Sequence, residues 1–253
     1  MRCRHLFLLA FLPAAFGSGL ASADSAPGKP AGLTDWAVAI VAADWRDGAG
    51  TPIEAFENSR RDLALGFAAA GLNPENITDL SLRPDIRSGT GLASDEAFAA
   101  ISAQTETAKS GCLLYFTSHG SPDGMVLGDE GLLSPPRLDS LIDGWCGERP
   151  TVVVVSACFS GVFVPALAAP NRIVMTAARS DRSSFGCSDD ATYPYFDGCV
   201  LESLPVAADF IHLASLSRSC VSRREREERL TPPSEPQLRI GADVEASLPF
   251  LNF

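Results

Sequence analysis

The sequence predicts an α/β fold, a mostly parallel β-sheet buried on both faces by helices. Three observations carry that prediction. Apolar runs rich in β-branched residues recur at 36–45, 111–117, 151–158 and 172–178, without polar alternation. Between them lie segments whose apolar residues repeat at helical spacing, such as Ile53, Phe56, Leu63 and Phe67. Beyond a short leader, about 230 residues remain, enough for one large core.

In chain order, the first residues read as a signal peptide. Arg2 and Arg4 give a positive start, Leu6 to Phe16 an apolar core, and Ala21-Ser22-Ala23 an A-x-A cleavage site. The expectation is a signal peptide over 1–23 and a protein exported to the periplasm or secreted. The apolar stretch is short for a membrane span, and no later segment supplies roughly twenty apolar residues, so no membrane anchor is expected. Residues 24–34, rich in Ala, Pro, Gly and Ser, read as a flexible lead-in, and 35–253 as a single domain.

Within that domain, 36–45 (WAVAIVAADW) reads as the first buried strand, and 47–52 as a glycine-containing turn. A helix is predicted over 53–70 and stopped by Gly71, followed by a short strand at 76–82. Ser94 opens a helix to about Lys109, and Gly111 opens the next strand. Residues 124–128 form a small hairpin arm and 136–143 a helix. After the run at 151–158 come a short helix, a strand over 172–178 and a loop over 179–190. Helices over 195–204 and 207–229 and an edge strand at 236–241 complete the pattern.

Composition narrows the partners. Cleavage of the leader removes two of the twenty basic residues, leaving 18 against 31 acidic ones and a formal charge of −13. That disfavours nucleic acid and anionic membranes as partners. The first strand lacks G-x-G-x-x-G, and no P-loop is present. No Cys or His cluster has zinc spacing, so neither metal nor organic cofactor is expected.

Two strand ends carry chemistry. TVVVVSACFSG (151–161) puts Cys158 at the carboxyl end of a buried strand, close to a helix start near Ser160. GCLLYFTSHG (111–120) puts His119 and Gly120 at the end of another. As neighbouring parallel strands they would hold sulfur and imidazole about one strand spacing apart, ~5 Å, the pair that nucleophilic thiol chemistry needs. His5 lies in the leader, and His212 sits in a helical pattern. Six cysteines follow the leader. With Cys158 kept free, five remain and one is left over. Cys112 and Cys146 each precede a strand and can meet at the opposite sheet edge, and Cys199 with Cys220 is a second possible pair; spacing alone does not fix connectivity.

SHG after one apolar strand and SACFSG after the next resemble the legumain-type (asparaginyl endopeptidase-like) cysteine peptidases, closest to their bacterial branch, over roughly 36–241. These are relatives of the GPI-anchor transamidase catalytic subunit and of caspases. The resemblance implies a three-layer α/β/α caspase–hemoglobinase sandwich and a peptide or protein substrate. It implies a Cys158 nucleophile, His119 as general acid, and an oxyanion hole from the Gly120 and Cys158 N–H groups. FENSRRD (56–62) is similar to the segment in which Asn58 would orient the histidine and Arg60 would line the specificity pocket. RSSFGCS (182–188) and YFDG (195–198) would add Ser184 and Asp197 to that pocket. An arginine and an acid together suit a side-chain amide, hence cleavage after Asn, or Asp. Animal and plant legumains carry a glutamate two residues before the nucleophile, and in its place this chain would present Ser156 to the substrate as a fourth binding residue. Transpeptidation through the same acyl-enzyme, or a non-catalytic peptide-binding domain on the same scaffold, are the competing readings. A thiol oxidoreductase is disfavoured because no resolving cysteine neighbours Cys158 in the sequence.

Overall fold

The apolar runs become strands and the amphipathic segments become helices, with bounds within a few residues of those expected. The computed structural model describes residues 32–84, 93–188, 190–247 and 251–253; the expected leader and residues 24–31 of the lead-in lie outside the described residues. The chain runs β1 (Trp36–Ala42), α1 (Ala55–Ala69), β2 (Ile77–Ser81), α2 (Ser94–Thr107) and β3 (Gly111–Thr117). It continues through β4 (Gly120–Ser121), β5 (Gly124–Val126), β6 (Leu132–Leu133), α3 (Pro135–Cys146) and β7 (Thr151–Ser156). Then come α4 (Val164–Leu167), β8 (Arg172–Thr176), α5 (Tyr195–Ser203), α6 (Phe210–Glu227), β9 (Gln237–Ile240) and α7 (Ala242–Ser247).

The main sheet has the order β2-β1-β3-β7-β8-β9. All its pairings are parallel except β9, which closes the edge antiparallel to β8. β4, β5 and β6 form a small antiparallel sheet, the expected hairpin arm.

Strand side chains alternate between two separate cores although both faces are dry. Val38, Ile40, Leu113, Tyr115, Val152 and Val154 meet Leu63, Phe67, Phe196, Val200 and Phe210 from α1, α5 and α6. Ala39, Val41, Leu114, Phe116, Val153 and Val155 meet Ile101, Leu138, Ile142 and Trp145 from α2 and α3. This double burial explains the unbroken valine run: a polar residue on either face of β7 would enter a core. Each buried valine contributes roughly 1.5–3 kcal/mol.

Each helical layer also carries a disulfide. Cys112 of β3 joins Cys146 at the end of α3, and Cys199 of α5 joins Cys220 of α6. Both pairs are ones the sequence left open. Among the described residues, no helix is long and apolar enough to cross a membrane.

β2 lies on one side of β1 and β3 on the other, and α1 and α2 cover opposite faces. The chain therefore changes direction between β1 and β3. In such sheets the carboxyl ends at this point open into a crevice.

Candidate active site

Register places His119 and Cys158. Thr117 of β3 pairs with Ser156 of β7, and the Ser118 N–H donates to the Ser156 carbonyl at 3.0 Å. His119 and Cys158 thus each lie two residues beyond the same rung, at the carboxyl edge of the sheet. Gly120 is pressed against this junction: a Cβ there would lie 2.1 Å from the Cys158 carbonyl oxygen. Only glycine permits that approach.

The turn after β7 is tight. Phe159 adopts a left-handed conformation (φ 57°), which costs a non-glycine residue about 1–2 kcal/mol. Its N–H donates to the Arg182 carbonyl at 2.7 Å, which fastens the 182–184 segment beside Cys158. The half-buried Cys158 Sγ accepts the Ser184 N–H at 3.2 Å and lies 3.5 Å from the Ser184 carbonyl oxygen. The expected helix start near Ser160 is a 3-10 turn, Ser160–Phe163, leading into the four-residue α4. Aligned peptide dipoles are few in so short an element. The sulfur's polar partner comes instead from across the edge, on the loop after β8.

The His119 ring is held on two sides. Nε2 lies 2.7 Å from the Arg46 carbonyl oxygen. A carbonyl only accepts, so Nε2 carries the hydrogen and Nδ1 is the nitrogen left to exchange protons. Phe56 meets the ring edge-on, with centroids 5.2 Å apart.

Asn58 does not take the orienting place assigned to it. Its Nδ2 donates to the Thr192 carbonyl and its Oδ1 accepts from Arg61. The group on the imidazole is a main-chain carbonyl from the loop after β1, which no side-chain motif announces.

Arg60 and Asp197 also depart from the expected pocket. The Arg60 guanidinium is buried, donating through Nε and one terminal nitrogen to Glu57 Oε2 and through the other to Asp79 of β2. Asp197 is fully enclosed and accepts from Tyr115 Oη and Thr117 Oγ1, each at 2.6 Å. The Ser156 and Ser59 hydroxyls lie near the same carboxylate, the Ser59 hydroxyl donating to the Ala55 carbonyl at 2.9 Å. Helical phase explains the separation: Ser59 of α1 turns toward Asp197, and the next residue, rotated about 100°, turns Arg60 toward β2. Asp197 is therefore a floor beneath the strand ends, and Ser156, itself buried, stands over it. Burial raises the Asp197 pKa, while the surrounding hydroxyls oppose that rise. Ser184 alone of the four expected substrate-binding residues lies half-buried against the sulfur.

Cys187 is the cysteine left over. It packs against the Ala42, Ile53, Ala55 and Phe56 cluster. Burial pushes its thiol well up, and charge on Cys158, Asp197 and Asp44 pushes it further. Cys187 is thus near enough for charge on Cys158 to act on it, and burial holds it in its thiol form. The odd cysteine count was the one sequence signal for it.

His119 and Cys158 leave this sheet on adjacent strand ends, and comparison identifies the scaffold. Caspase-1 from Spodoptera frugiperda superposes with a TM-score of 0.59 at 12% identity, covering 83% of this chain and 87% of that one. A structure described as pro-sf-caspase-1 gives 0.58 at 14%, covering 81% and 90%. The fold is the caspase-like three-layer α/β/α sandwich. Residues 96–204, which include both His119 and Cys158, match the model of the Peptidase C13 family. Over that segment the chain is similar to the legumain-type cysteine peptidases. No curated protein sequence matches it.

Proposed function

We propose that the protein is an exported cysteine endopeptidase acting through a Cys158/His119 dyad. The observation that carries this reading is the shared rung: two residues past Thr117 and Ser156, the imidazole and the sulfur leave the sheet on neighbouring strands. Cys158 Sγ attacks the scissile carbonyl, and the N–H groups of Gly120 and Cys158 receive the developing oxyanion. The thiol proton passes to His119 Nδ1, which delivers it to the departing amine. Water then attacks the acyl-enzyme, returning a proton through His119 and releasing the acid. Export rests on the leader pattern of the first 23 residues and is tested by sequencing the amino terminus of the native protein, which should begin near Asp24.

Cleavage after Asn or Asp is the specificity we assign, with Asn preferred. Ser184 offers neutral hydrogen bonds beside the sulfur. Arg46 and Arg60 are both committed to carboxylates, and Asp44 and Asp197 put negative charge near the Cys187 thiol. That environment tolerates an amide better than a second carboxylate. Cleavage profiling on a peptide library tests this. Preference for leucine or lysine before the scissile bond rules the assignment out, and loss of all cleavage in Cys158→Ala is required by the dyad.

A further inference from the structure

We propose that Arg46 is a positioning residue for His119. It is the centre of a charge clamp, with Asp44 and Asp129, that fixes the carbonyl on which the imidazole rests. The proposal builds on the Cys158/His119 dyad. It starts from a gap in the sheet's own support: β1 ends at Ala42, yet the carbonyl that holds His119 Nε2 belongs to Arg46, four residues further on. There the main chain makes only an isolated bridge, with Pro52. The Asp47 N–H of the same peptide unit donates to the Thr51 carbonyl at 2.7 Å and the Ile53 N–H to the Trp45 carbonyl at 2.8 Å, but both bonds are internal to the 45–53 turn and do not anchor it to the rest of the edge.

The Arg46 side chain does. Nε donates to Asp44 Oδ1 at 2.8 Å, one terminal nitrogen to Asp129 Oδ1 at 2.8 Å, and the other to the Gly128 carbonyl at 2.7 Å. The guanidinium also lies 4.4 Å from the centroid of the Trp45 ring. Asp44, itself buried, accepts the Trp45 N–H as well, at 2.8 Å. The Gly128 N–H closes the unit on the Ala43 carbonyl at 2.7 Å. The planar fork of arginine thus bolts the 43–46 segment to the turn after β5. Every arm of the guanidinium is engaged within the protein, so this arginine is not a substrate ligand. Its effect on catalysis runs through its own carbonyl, which keeps the hydrogen on Nε2 and aims Nδ1.

General acid transfer is steeply sensitive to such aiming: a displacement of about 1 Å can cost on the order of 100-fold. The test compares Arg46→Ala, Arg46→Lys and His119→Ala with wild type on two substrates sharing one acyl part, a peptide amide and its activated ester. An amine must be protonated to leave, whereas an activated ester leaves without that help. Arg46→Ala should lower kcat on the amide by about 10–100-fold, move KM by less than about threefold, and cost the ester much less. Arg46→Lys should recover only part of the loss, because one ammonium cannot serve three diverging acceptors. Should Arg46→Ala fail to fold, Asp129→Ala removes one exposed arm of the clamp and should show a several-fold loss with the same amide-over-ester bias. Equal losses on both substrates, a rise in KM alone, or wild-type turnover would overturn the clamp. Wild-type turnover by His119→Ala would instead overturn the dyad, which separates the two failures.

Discussion

The same parallel strands end in opposite chemistry at their two edges. At the amino edge, cysteine is consumed: Cys112, the second residue of β3, is joined to Cys146 at the end of α3. Arg149 donates to the carbonyls of Thr105, Ala108, Trp145 and Cys146, closing the ends of α2 and α3. Arg172, buried at the start of β8, pairs with Asp139 and Asp143 of α3. At the carboxyl edge, Cys158 and Cys187 stay free, the backbone turns through a left-handed residue at Phe159, and the imidazole is held by a loop carbonyl. Both edges carry ion pairs, but only the amino edge is also closed by a disulfide, while the carboxyl edge keeps its cysteines free.

The sharpest way to break this comparison is to exchange the roles of the two edges by mutation. Cys158→Ala should reduce peptide hydrolysis by 1000-fold or more, about the scale seen when an enzyme's nucleophile is removed, while the thermal melt stays near wild type. His119→Ala should cost about 10²–10⁴-fold through loss of proton transfer. Both are read from initial rates on a substrate the wild type cleaves. A Cys158→Ala protein that still turns over would erase the distinction between the edges.

Cys112→Ser should do the reverse. Opening the 34-residue separation between Cys112 and Cys146 should lower stability by about 2–4 kcal/mol, measured by denaturant unfolding without reductant. Turnover per folded molecule should be unchanged, since this residue lies near the start of its strand rather than its end.

A smaller effect sharpens the picture of the carboxyl edge. Asp197→Ala leaves the buried hydroxyls of Tyr115 and Thr117 without their acceptor and should cost about 1–3 kcal/mol. Asp197→Asn tests its charge. Burial raises the folded pKa, so the folded state binds this proton more tightly than the unfolded chain. The resulting stability is complete below the unfolded carboxyl range, near ~4, and is lost as pH rises through the raised folded value. Asp197→Asn, which cannot ionise, should remove that part of the pH slope in urea unfolding.

The smallest expected effect concerns the two free thiols. Iodoacetamide at neutral pH should label Cys158 well before Cys187, because burial and neighbouring negative charge keep the Cys187 thiol protonated. Peptide mapping of a time course reads the order. Faster labelling at Cys187 would mean that it, and not Cys158, is the more open sulfur of this edge.

The sequence alone determined the strands, the layers and which His and Cys share an edge. Four consecutive valines in β7 can be satisfied only between two cores, and a His and a Cys placed two residues past paired strand ends must emerge together once the register is parallel. Those are properties of local pattern and strand period. What surrounds the pair depended on tertiary structure. Whether Arg60 meets Asp197 turns on the phase of α1, where one residue's rotation sends Arg60 to Asp79 while Ser59 faces Asp197. The group that orients His119 is a carbonyl, which every residue possesses, so no residue type in the sequence could mark it. Cys187 comes near Cys158 only because the loop after β8 folds back along the turn after β7. Local pattern sets which groups reach the edge; long-range packing sets which of them are already spoken for.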